Sequence, residues 1–318
     1  MQYNVMNVLN HTPDTALLLA KLADTIREFR EVIDRGLQQS GEYEIFNSLQ
    51  GAVDTTEQHF PSTFWDRLGI RHIISGDQHS KTASRGQLTT ATDTDHYKWG
   101  YMRKDASVEA LTKYVGNCSI IQFADYVNVK DAAGFWDGLF ADVIKKAVDK
   151  QKINFIFQLG DITGRRVFEV DEVLDVIGQY SKYGSVSLVM DEQEALKLWD
   201  LLCGIDYEPS PKEKFQLQFG TMKIDNLLII YNNDILLYTK EGQFEFTGRS
   251  WNNTHSYPHS REFFLAGYRL GLLLQLSISH AIVLGLTVSG TYRTTASIPN
   301  SRSLLTYIND WLSTISKI

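Results

Sequence analysis

The chain has 318 residues, 43% of them hydrophobic and 22% charged, with a net charge of −7 and a pI near 5.6. That is enough apolar material for a sizeable core without disulfide staples, at a length that fits two domains or one with large additions. The acidic balance argues against general nucleic-acid binding, which needs clustered cations; Arg165-Arg166 and Lys145-Lys146 are isolated pairs.

The opening MQYNVMNVLNHTPD lacks the basic region and apolar run of a secretory signal, so a cytoplasmic location is expected. Residues 14–39 predict a helix, capped by Asp14 or Thr15, with Leu17, Leu18, Leu22, Ile26, Phe29 and Ile33 as one apolar stripe. A second helix is expected over 42–58, the pair forming a hairpin or the interface of a homo-oligomer. The polar stretch 77–97, DQHSKTASRGQLTTATDTDHY, reads as a long loop. Strands are then predicted at 118–129, 153–159 and 185–190, with helices at 132–150, 171–183 and 192–202. This alternation implies an α/β layer arrangement. EPSPKEK at 208–214 reads as a linker, followed by an antiparallel meander from 215 to 247. An apolar helix near 261–276 would cover it, HAIVLGLTV at 280–288 reads as a buried strand, and a helix at 301–316 ends the pattern.

Residues 270–288 are long enough to span a bilayer. Gln275, Ser277, Ser279 and His280 in their middle, and the lack of aromatic-basic flanks, argue against it. Cys118 and Cys203 lie in or beside apolar runs and read as core thiols. The expected domains are a helical segment 1–60, a loop-rich segment 61–116, an α/β domain 117–206 and a meander with helices at 207–318.

The run INFIFQLGDITGRRVFEVDEVLDVIGQYSKYGSVSLVM and the closing helix DEQEALKLWDLLCGID have a distinctive order. Buried strand, short loop, helix, glycine turn at Lys182-Tyr183-Gly184, strand and helix: this resembles the STAS domain, the anti-sigma-factor-antagonist fold. The family's regulated members carry a phosphorylatable hydroxyl at the start of the helix after the central strand. Here that region is Phe168-Glu169-Val170-Asp171-Glu172, where Asp171 would cap the helix or supply a fixed negative charge. The resemblance implies a non-enzymatic regulatory or assembly protein that docks a protein partner, without a cofactor. Its partner surface would be Asp161, Thr163, Arg165, Arg166, Asp171 and Glu172.

Two alternatives carry chemistry. Asp77 and His79 in IISGDQHS, Asp161 in FQLGDITGRR, and His255 and His259 in NNTHSYPHS are the residue types of a metal-dependent phosphoesterase, in which Asp161 and His79 would act on a metal-bound water. Asp125 and Asp161 also resemble the paired metal-binding aspartates of class III nucleotide cyclases, with Asn252 as the later asparagine, but Ser256 stands where that family has arginine. No phosphate-binding glycine loop, GxSxG elbow or zinc-spaced cysteine cluster occurs. Trp65, Trp136, Trp199, Trp251 and Trp311 read as core or interface residues.

Overall fold

The computed structural model describes residues 10–11, 13–45, 70–75, 99–100, 103, 108–116, 118–124, 126–127, 131–147, 153–203, 209–231, 234–249 and 260–316. In chain order the elements are β1 (Asn10–His11), α1 (Thr15–Glu28), α2 (Arg30–Ile45), β2 (Ile70–Ser75), α3 (Val108–Gly116), β3 (Cys118–Phe123) and α4 (Ala132–Leu139). Helix α4 runs on through a π-helical turn, Phe140–Ile144, to a last α turn, Lys145–Ala147. Then come β4 (Ile153–Phe157), α5 (Val167–Tyr180), β5 (Gly184–Asp191), α6 (Glu192–Leu202), α7 (Pro211–Thr221), β6 (Asn226–Tyr231), β7 (Asp234–Thr239), β8 (Gly242–Phe246), α8 (Ser260–Leu273), α9 (Ile278–Thr295) and α10 (Ser301–Ile315). The chain divides into two compact units, one formed by Gly51–Ile230 with Tyr238–Lys240, the other by Met1–Gln50, Tyr231–Leu237 and Glu241–Ile318.

The first of these is a mixed α/β unit. Strands β3, β4, β5 and β6 pair in parallel as successive neighbours, and β2 adds an antiparallel edge beside β3. Each connection steps the same way across the sheet, so crossovers of the usual right hand lay their helices on one face. Register sets Phe123 beside Phe157 beside Leu188 on that face. Phe123 and Phe157 stack at 4.5 Å, and the Trp136 ring of α4 lies 5.3 Å from each. Tyr180 of α5 meets Phe123, Phe155 and Phe157 edge-on, and its hydroxyl donates to the Trp136 carbonyl at 2.6 Å. Burial and the nearby Asp137 hold the Tyr180 phenol well above its ordinary pKa, so it stays a donor.

The parallel pairing of β6 with β5, with Ser187 opposite Asn226, corrects two expectations. Residues 117–206 are not a self-contained STAS domain, because their strands are the middle of a sheet that continues into 226–231. Residues 215–221 are not a meander strand either; they belong to α7. Pro211 opens that helix, and Glu213 closes a capping box with Ser210, so the proline-rich stretch is a helix start where a linker was expected.

In the second unit, β8 lies between a parallel β1 and β7. The expected helix 14–39 is two helices, α1 and α2, broken at Phe29. Residues 280–288, expected as a strand, lie within α9. Helices α8 and α9 explain the misreading. Phe263 through Gly271 are all buried, Arg269 among them, so this stretch of α8 has no exposed face. A Cβ on Gly267 would lie 2.8 Å from the Gly285 Cα, and one on Gly271 2.6 Å from the Ala281 Cα. The two backbones therefore touch through small residues, and a continuous apolar run carries no helical stripe to read. Asp34 of α2 caps α10 from outside, accepting from the Ser301 amide at 2.5 Å and its hydroxyl at 3.0 Å. No helix among the described residues is long and apolar enough to cross a membrane.

Gly267→Val drives side-chain carbon into the α9 backbone, an overpacking that costs about 1–3 kcal/mol or more. The thermal midpoint by circular dichroism is expected to fall by several degrees; a midpoint equal to wild type would show that α8 and α9 do not touch there.

Candidate functional site

In parallel α/β sheets, ligands are taken up at the carboxyl ends of the strands, where the βα loops converge. Here the ordered loop after β4 occupies that edge. Its backbone turns at Gly160 (φ +76°) and Gly164 (φ +87°), left-handed conformations that favour glycine. Leu159 and Ile162 point inward and are buried, which leaves Asp161, Thr163 and Arg166 outward. Asp161 Oδ1 accepts from the Thr163 amide at 3.0 Å and from its hydroxyl at 2.5 Å, an Asx turn. Lys197 of α6 donates to both carboxylate oxygens at 2.9 Å.

Arg165 ties this loop to the one after β3. Its Nη2 donates to the carbonyls of Tyr126 at 3.0 Å and Val127 at 2.6 Å, and the guanidinium lies 4.9 Å from the Tyr126 ring centre. The Tyr126 hydroxyl donates in turn to the Glu169 carbonyl at 2.9 Å, in the first turn of α5. One strand earlier, Gln122 Nε2 donates to Gln158 Oε1 at 2.6 Å. Neighbouring loops are thus joined by side-chain bonds across the edge. Beyond them, Arg166 lies 5.8 Å from the Phe168 ring, with Val167 52% and Phe168 60% exposed.

Of the expected partner surface, Asp161, Thr163, Arg165 and Arg166 share this loop. Asp171 and Glu172 are exposed on the second turn of α5. Asp171 is not the helix cap. Helix α5 begins at Val167, and Glu169 Oε2 accepts from the Arg166 amide at 2.9 Å, so the acidic residue of the first turn is Glu169. Asp77, His79, Asp125, Asn252, His255, Ser256 and His259 lie outside the described residues. Among the described residues, no group of three or more His, Cys, Asp or Glu side chains could hold a metal ion. Sequence reading missed Lys197, Tyr126 and Phe168. Two faint signals existed: an apolar Val167-Phe168 pair directly after two arginines, and a lysine in the helix following the next strand.

No family model and no curated protein matches the chain. Solved structures do match in part. Ribokinase from Thermotoga maritima is 12% identical over 65% of this chain and 61% of its own, with a TM-score of 0.47. A putative sugar kinase from Clostridium perfringens is 12% identical over 76% and 66%, with a TM-score of 0.46. Ribokinase of Arabidopsis thaliana, solved with ribose and ATP, is 12% identical over 64% and 59%, with a TM-score of 0.45. The chain spans about three fifths of the length of the two ribokinases. These neighbours are sugar kinases. The parallel β5–β6 pairing overturns the STAS resemblance, and with it falls the non-enzymatic regulatory function drawn from it. The phosphoesterase and cyclase alternatives both rest on Asp161, which is engaged here by Thr163 and Lys197.

Those hydrogen bonds, the Thr163 hydroxyl first and Lys197 next, lower the Asp161 pKa from 3.8 to about 2. The depressed value means that Asp161 contributes stability above pH 3.8 and loses it as pH falls through 2. Its full exposure keeps the effect small. Carboxyl NMR titration is expected to place the Asp161 midpoint near 2 and to move it upward in Lys197→Met. A wild-type midpoint at the ordinary value would break this description of the loop.

Proposed function

We propose that the α/β unit binds a small hydroxylated ligand of the sugar or nucleoside class at the carboxyl edge of β3 and β4. The observation that carries this reading is the fastened β4–α5 loop. On the face left free by the Arg165 bonds, it offers a carboxylate and a hydroxyl for ligand hydroxyl groups, a guanidinium for an anionic group, and the exposed Phe168 ring for an apolar or planar face. Such a mix, few polar groups beside aromatic surface, suits small-molecule recognition. Asp161, held ionised, acts in this reading as a hydrogen-bond acceptor and is too weak a base to take a proton near neutrality. Ribose, adenosine and ATP are suitable first probes.

Calorimetric titration with each probe is expected to give saturable binding of at least one, weakened about tenfold, or 1.4 kcal/mol, in the double variant Arg166→Ala, Phe168→Ala. ADP release with ATP and ribose together would extend the reading from binding to phosphoryl transfer. No saturable binding of any probe, or binding that the double variant leaves unchanged, would refute it.

A further inference from the structure

The opposite edge of the α/β unit carries a concentration of positive charge. Helices α4, α5 and α7 end at Ala147, Tyr180 and Thr221, ahead of β4, β5 and β6, so their carboxyl ends gather at the amino edge of these parallel strands. Lys145, Lys146, Lys182, Lys223 and Lys240 are all exposed there. Packing joins them into one band. The Lys145 ammonium lies 4.7 Å from the Phe140 ring centre, and Tyr183, next to Lys182, meets that ring edge-on at 5.4 Å. The Ser181 hydroxyl donates to the Lys223 carbonyl at 2.9 Å. Lys240 lies 3.5 Å from Asp225 Oδ1, whose second oxygen accepts from the Val186 amide at 3.0 Å.

A cation at a helix end complements the macrodipole, which accounts for single lysines. The band as a whole has more cations than it uses. Lys223 meets Asp175 at 3.9 Å and Lys240 meets Asp225, both as exposed pairs that hold weakly. Among the described residues, Lys145, Lys146 and Lys182 pair with no carboxylate. This excess runs against the net charge of −7 of the chain. We infer that the band docks an extended acidic segment of a partner protein. Strands β4, β5 and β6 are successive neighbours about 4.8 Å apart, so the band suits an extended segment of roughly five residues at about 3.3 Å each. Nucleic-acid surfaces favour arginine forks and open aromatic rings for stacking. Here the cations are lysines, point charges on flexible stems, and Tyr183 is turned onto Phe140.

Fluorescence anisotropy of a labelled decaglutamate peptide, titrated with the full chain, tests this. Saturable binding is expected, weakening as salt is raised. The variant Lys145→Gln, Lys182→Gln, Lys223→Gln is expected to bind about tenfold more weakly, with its far-ultraviolet circular dichroism spectrum retained. The control Lys21→Gln, Arg27→Gln, Arg302→Gln removes the same charge from exposed positions of the other unit and is expected to bind as wild type does. No saturable binding, an equal loss in both variants, or tighter binding of single-stranded oligothymidylate through the same lysines would overturn the proposal.

Discussion

The site rests on one cation spent inside the protein. Arg165 gives its guanidinium to two backbone carbonyls in the loop after β3, groups that outside a regular strand have no ladder partner of their own. Hydrogen bonds from a charged donor are worth about 1.5–3 kcal/mol, roughly twice a neutral pair. The Tyr126 ring beneath the guanidinium adds a cation–π contact, and the Tyr126 hydroxyl bonds back to α5. A closed circuit results: loop after β3, Arg165, start of α5, and Tyr126 again. Without it, two loops that meet only at their strands would move independently.

Fixing the loop decides what the other residues can do. Asp161 and Thr163 face each other across an Asx turn, and Lys197 reaches over from α6. The three parallel strands β3, β4 and β5 each hand one contributor to the edge: Tyr126 after β3, Asp161 after β4, and Lys197 in the helix after β5. Arg166 and Phe168 then stand clear, since the capping of α5 falls to Glu169. The arrangement separates Arg165, Tyr126 and Lys197, which fasten the edge, from the exposed Asp161, Thr163, Arg166 and Phe168, which supply the proposed ligand contacts.

The alternation of strand and helix from 118 to 202 was legible because each element shows its own period. Helix α6 matches its expected bounds, and β4 and β5 fall within two residues of theirs. Three features were not legible, each for a physical reason. The parallel partner of β5 lies beyond two helices, and pairing over that distance leaves no local trace in NLLIIY. Helix α8 was read as a helix, but in α9 residues 281–285 are buried without a break and meet α8 through glycine contacts in place of an amphipathic stripe, so α9 looked like a strand. The start of α5 was placed four residues late, because Val167 and Phe168 stay exposed on its first turn and break the expected pattern. Asp161 lies, as its sequence position implied, in the loop after β4. Its partners, a lysine 36 residues on and a threonine two residues on, are set by tertiary geometry.

Hydrogen exchange resolved along the backbone, with and without ribose and ATP together, tests the central claim most directly. The account predicts that added protection concentrates in residues 158–168 and at Tyr126 and Val127, the two loops that Arg165 joins. Protection confined to other segments, with these loops exchanging at their ligand-free rates, would contradict it.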